Sequence, residues 1–231
     1  MGYNTLASGG SYSGYKDLYI RLYANTSSIE SRLTSYVENG FSSILDQLLN
    51  NNAIDYYQIS LCDENFNISF SDKGDFLSKF RSECKDRGYD AYIGAHLAAG
   101  TGMNGGVAYS GTNYSSFKQP TYGVFNCDGT PKEAEKNVAI QEAFHGVIDT
   151  DLSGIRWRVT HGMTNSEEGD NDHDLGKVYS DGSVSPMCTG YDDSHARHGD
   201  CANSNAWFGF YKATLTDCTV AATKINAEEY S

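Results

Sequence analysis

Residues 131–148 read PKEAEKNVAIQEAFHGVI, and this stretch predicts a helix. Pro131 stands at a first-turn position, where its missing N–H costs nothing, and the first turn is acidic, which suits the positive end of the helix dipole. Ala134, Val138, Ile140, Ala143, Phe144 and Val147 give it an apolar side. Three candidate strands precede it, YDAYIGAHL (89–97), GGVAYSG (105–111) and TYGVFNC (121–127), separated by Gly/Ser/Asn loops. Before them, KGDFLSKFRSECKDRG (73–88) reads as a helix with Phe76, Leu77, Phe80 and Cys84 on one face, closed by Gly88. DYYQISLCD (55–63) reads as a strand, and helical spacing from Ile29 to Leu49 marks a helix over 28–50. Residues 1–15, rich in Gly, Ser and Tyr, read as a flexible arm, leaving 16–231 as a single domain. After residue 150 the chain is loop-rich. The order helix, strand, helix, three strands, helix is that of an α+β fold.

The chain has 231 residues, enough for a sizeable core, and 39% of them are hydrophobic. A formal net charge of −13 argues against nucleic acid or an anionic membrane surface as a partner. No apolar run is long enough to span a bilayer. The opening MGYNTLASGGSYSGY has neither a basic n-region nor an apolar h-region, so it reads as a mature N-terminus behind an added Met, not as a signal peptide. Cysteines at 62, 84, 127, 188, 201 and 218 form no C-x-x-C pair. Three disulfides in a secreted protein explain them best, with the pairing open, and they would pin the irregular C-terminal part. Sequons at Asn25, Asn67 and Asn113 agree with an extracellular glycoprotein.

Within the 131–148 helix, Gln141, Glu142 and His145 form Q-E-x-x-H. Positions 141 and 145 lie four apart on one helix face, where two side chains can reach one ion, and Glu142 projects beside them. With His at 141 this would be H-E-x-x-H, a zinc motif in which the Glu serves as general base. The strand–loop–strand–helix order together with this motif resembles the zincin metalloproteases, and the metzincin branch in particular. In that family an edge strand lies above the cleft, followed by a further strand and then the zinc helix. The extended motif maps onto Gln141, Glu142, His145, Ile148 and Asp151, and SPMCTGY (185–191) resembles the Met-turn, with Met187 as its methionine.

The chain departs from the family pattern at Gln141, a neutral amide in place of imidazole, and at Ile148, where the family has a turning Gly. Tyr191 also falls two residues late. His173, in EEGDNDHDLG (167–176), offers another ligand if this polar loop folds back over the helix. That loop resembles secreted zincin-like proteins of fungi and archaea, with H-D-L-G between the zinc helix and a P-M turn. The resemblance implies Zn²⁺ held by His145 and His173, completed by Gln141 or Asp151, with Glu142 as general base toward a peptide or protein substrate. The alternative is a pseudoenzyme that keeps the fold but has lost the metal and serves in extracellular binding or self-assembly.

Asp170, Asp172 and Asp174 alternate as at the start of a calcium loop, but Leu175 stands where that loop needs Gly, so a Ca²⁺ site competes with a plain solvated acidic loop. His195, Arg197 and His198, in DDSHARHGDC (192–201), read as surface residues beside a cysteine, or as groups facing a substrate carboxylate. His96 reads as a satisfied strand histidine, and His161 has no partner in sequence. The chain has no G-x-S-x-G elbow and no phosphate-loop signature. WFGFYK (207–212) and the 17 tyrosines keep an aromatic self-association surface in play.

Overall fold

The computed structural model of the chain describes residues 2–109, 114–128, 132–155, 172–177, 179, 181, 183–187 and 210–231. Strand β1 (Tyr3–Gly10) leads to β2 (Asp17–Ala24), and helix α1 (Ser27–Arg32) runs through a π-helical turn (Leu33–Val37) into α2 (Glu38–Asn50). There follow β3 (Tyr56–Cys62), α3 (Lys73–Asp86), β4 (Gly94–Gly100), β5 (Gly106–Ala108), β6 (Pro120–Asn126) and α4 (Lys132–Val147). A 3-10 turn (Asp172–Leu175), short strands β7 (Ser183–Val184) and β8 (Phe210–Tyr211), and helix α5 (Asp217–Tyr230) complete the described chain.

The six-stranded sheet has the order β1-β3-β2-β4-β6-β5. Its middle strands β3, β2, β4 and β6 are parallel, and antiparallel β1 and β5 close its two edges. Parallel strands need crossover connections, which α1–α2 supply between β2 and its neighbour β3, and α3 between β3 and β4, which flank β2. The period-2 alternation of β2 sorts its side chains between two cores. Leu18, Ile20 and Leu22 join Phe41, Ile44 and Leu48 of α2 and Ile140, Phe144 and Val147 of α4. Tyr23 joins Phe76 and Phe80 of α3 on the other side. The fold is therefore mixed α and β, consistent with the expected α+β class, with helices on both faces of a mixed sheet.

Several sequence expectations change. Residues 3–10, expected within a flexible arm, pair with β3 along their length. The strand expected at 89–97 begins only at Gly94, because residues 89–91 form a 3-10 turn that buries Tyr89. Gly94 has φ +132°, and a Cβ there would lie 2.6 Å from the Tyr19 carbonyl, so the chain enters β4 through a position that only glycine fills easily. The C-terminal part, expected to be irregular, contains α5. The three expected disulfides do not all form: Cys62, Cys84 and Cys127 are buried free thiols, the first two in the aromatic core, and Cys62 Sγ lies 3.1 Å from the Tyr89 hydroxyl. They behave as small core residues. Cys218 is disulfide-bonded, and Cys188 and Cys201 lie outside the described residues. Of the sequons, Asn25 has its amide bonded at both ends to the Ile68 backbone (2.9 and 2.7 Å), Asn67 is exposed, and Asn113 lies outside the described residues. Among the described residues, no helix is long and apolar enough to cross a membrane.

Candidate functional site

Helix α4 carries the site, and its C-terminal half is fixed on every side. Phe144, Val147 and Ile148 are buried in the larger core, each contributing about 1.5–3 kcal/mol of burial. A Cβ on Gly146 would overlap the Thr121 side chain, so the helix lies directly against β6. The last helical carbonyls are not left bare. Ser116 donates from its amide (2.7 Å) and hydroxyl (3.0 Å) to Gly146 O, and Ser115 donates to Val147 O (3.0 Å). The helix continues its hydrogen bonding to Ile148, at the position where the zincin pattern has its turning Gly.

Glu142 projects from α4 toward the β5 edge of the sheet. A Cβ on Gly106 of β5 would lie 2.6 Å from Glu142 Cγ, and one on Gly123 of β6 would lie 3.2 Å from Glu142 Cβ. The carboxyl thus occupies space that the missing side chain of Gly106 leaves, while the base of the side chain passes close to Gly123. It is 5% exposed, and its Oε2 has no hydrogen-bond partner. Burial pushes its pKa up to about 7; His145 and Lys73 pull it down, and Asp172 adds to the rise.

His145 lies one turn further along. Its Nδ1 donates to Asp172 Oδ2 at 2.6 Å, so the 3-10 turn does fold back onto the helix. Burial would lower the histidine pKa, but the Asp172 carboxylate overrides it and, with Glu142, raises it to about 9. The turn that delivers Asp172 is itself anchored, because the Thr216 and Thr219 hydroxyls at the start of α5 both donate to Leu175 O. Helix α5 thereby braces the acid that orients His145.

The other predicted site residues divide. Gln141 is buried on the same helix. Asp151 belongs to a different network: its amide donates to Asp149 Oδ1 (3.0 Å), and Asp149 accepts from the Tyr230 hydroxyl while its amide donates to Asn226 (2.9 Å). Helix α4 ends at Val147, and the chain leaves it at Ile148, whose amide closes the last turn on Phe144 O. His173 follows Asp172 in the 3-10 turn, but its side chain lies outside the described residues, as does that of Asp174. Asp170, His161, His195, Arg197 and His198 also lie outside them. Asp172, expected as a calcium ligand, faces His145. Met187 is buried in the same core cluster as Phe144 and Val147. Among the described residues, no three His, Cys, Asp or Glu side chains gather as a metal group.

Zinc can be weighed on the donors themselves. A buried acceptor oxygen without a partner is costly unless something outside the protein satisfies it. Glu142 Oε2 is such an atom, one helical turn from an imidazole whose Nδ1 is held by a carboxylate. That arrangement matches the carboxylate–histidine pairs that orient metal ligands through the other ring nitrogen. Sequence reasoning missed Asp172 in this role and missed the two glycines. Glycine inside a strand signals a close approach, and GGVAYSG and TYGVFNC each carry that signal. His96 is as expected: it is buried, with both ring nitrogens bonded. Compared with models of known protein families and with curated proteins, the chain matches none.

Proposed function

We propose that this chain is a zinc-dependent peptide hydrolase of zincin-like architecture, with Glu142 as its general base. The observation that carries this reading is the buried Glu142 carboxyl, whose Oε2 lacks a partner, beside the His145–Asp172 pair. The sheet order supports it: an antiparallel edge strand, β5, precedes β6 and the site helix, the order that the resemblance implies. A group with a pKa near 7 is matched to proton transfer at neutral pH, and its burial keeps bulk water from competing. Asp172 holds Nδ1 of the His145 ring, so a metal would be met by the second nitrogen, which gives up its proton on binding. His145 and Gln141 are the described residues that would hold the ion, with His173 supplied from the same turn as Asp172. The ion would polarise the scissile carbonyl; Glu142 would take a proton from the attacking water and pass it to the leaving amine.

The test is elemental analysis of protein purified without chelator, followed by cleavage of a quenched fluorogenic peptide library by wild type and Glu142→Gln. About one zinc per chain and loss of roughly 10²–10⁴ in rate in the variant are expected. Gln141 favours a second reading, an inactive zincin-like protein, because an amide is a weaker zinc ligand than imidazole. A folded protein without zinc or cleavage activity selects that reading.

A further inference from the structure

On the opposite face of the sheet from α4, helix α3 and the β5–β6 edge enclose a cavity of about 540 Å³. Ser78, Arg81, Ser82 and Lys85 line it from α3, spaced i, i+3, i+4 and i+7 and so on one helix face. Tyr109, Tyr114 and Tyr122 form its aromatic wall. The Arg81 guanidinium is stacked there, 4.9 Å from the Tyr109 ring centre and 5.9 Å from that of Tyr122. Nearby cations are paired, Lys79 with Asp75 and Arg87 with Glu83 and Glu64, whereas Arg81 and Lys85 make no ion pair among the described residues. The Tyr114 hydroxyl is buried and has no hydrogen-bond partner.

From this we infer that the cavity is a binding site for a small organic anion, a carboxylate or phosphate head carried on a flat ring. In a chain of net charge −13, two uncompensated cations facing one cavity concentrate positive potential locally and attract an anionic head. Arg81 and Lys85 supply charge-assisted donors to that head, with the Ser78 and Ser82 hydroxyls beside them. The tyrosine wall accepts a flat apolar body, and Tyr114 offers it one polar contact. The volume suits a ligand of this size. Asp90 also lines the cavity and disfavours ligands with a second negative charge at that end. None of these residues belongs to the Gln141–Glu142–His145 site, so the inference stands or falls separately from the hydrolase reading.

The test is calorimetric titration of the full chain with phenyl phosphate, benzoate, inorganic phosphate and phenol. At least one of the two ring anions should bind saturably, at least about tenfold more tightly than inorganic phosphate or phenol. The tighter of the two identifies the head group. Arg81→Gln and Lys85→Gln should each weaken binding about tenfold, while Lys79→Gln leaves it unchanged. All three positions are solvent-facing on α3, and circular dichroism checks that the variants keep the fold. The inference is overturned if neither ring anion saturates, if inorganic phosphate binds as tightly as phenyl phosphate, or if binding survives both substitutions.

Discussion

Acid should weaken this fold through His96, and the size of the effect follows from the groups around the ring. His96 Nε2 lies 2.8 Å from Tyr92 O, a carbonyl that can only accept, so Nε2 carries the proton. Nδ1 therefore accepts from the Tyr23 hydroxyl at 2.7 Å, and Tyr23 in turn accepts from Tyr3 at 2.6 Å. The neutral ring is fully satisfied, and a second proton would have no acceptor. Burial, with Arg21 opposing a positive charge and the Tyr92 carbonyl only partly offsetting both, lowers the pKa from 6.5 to about 3. A histidine depressed in the folded state leaves stability intact above pH 6.5. As the pH falls below 6.5, the unfolded chain takes up the proton and the folded chain does not. The loss is about 1.4 kcal/mol per pH unit, or roughly 2 kcal/mol between pH 7 and pH 5. The assay is urea unfolding followed by circular dichroism at several pH values, for wild type and His96→Gln. Glutamine can donate to Tyr92 O and accept from Tyr23, but it does not titrate. Contributions from other groups are common to both proteins and cancel in the difference. A pH 7-to-5 loss in wild type that is no larger than in the variant would refute this account of the buried ring.

Other expectations concern the site. Glu142→Gln should abolish peptide cleavage without lowering the melting temperature, since it removes a buried charge and keeps the shape. Asp172→Asn should weaken zinc binding about 10–100-fold in a competitive chelator titration. Equal affinity would mean that the contact does not orient His145. Gly106→Ala sets a methyl against Glu142 and should cost about 1–3 kcal/mol in urea unfolding, together with activity. Unchanged stability would show that Glu142 and the Val124 carbonyl, 2.7 Å from the added Cβ, both give way freely. Asn226→Ala removes the group that receives the Asp149 amide and should cost about 1–3 kcal/mol.

The helices at 28–50, 73–88 and 131–148 were legible because their buried faces are made of apolar side chains at helical spacing. Asp72 as N-cap, accepting from the Asp75 amide at 2.9 Å, and Gly88 at φ +73° bound α3 by local chemistry. Helix α5 was not legible, because Thr219, Thr223 and Asn226 are buried on it and its apolar period is broken. Strand β1 was masked by composition: Gly9 and Gly10 look like loop, yet a Cβ at Gly9 would meet the Tyr57 ring. β2 does carry a signal, the alternation of Leu18, Ile20 and Leu22, but it is short and sits beside an apparent arm. At the site, Glu142 and His145 follow from one helical turn of sequence. Asp172 reaches His145 across 27 residues, and no local pattern encodes such a distance. For Asp151 the structure adds a backbone contact, its amide donating to Asp149 Oδ1, which no sequence pattern announces.

Glu142 occupies the volume that a side chain at position 106 would otherwise fill, and its Cβ lies close against Gly123, so one acid depends on close-fitting glycines. Either glycine gaining a methyl would press on the acid, and shortening the acid alone would leave a void beneath the sheet edge. The first change at any of the three positions is therefore costly. Among descendants of this chain that dispense with the acid, Gly106 and Gly123 should persist, because the Val124 carbonyl and the Leu97 side chain still crowd a Cβ there. In this sequence all three are still in place.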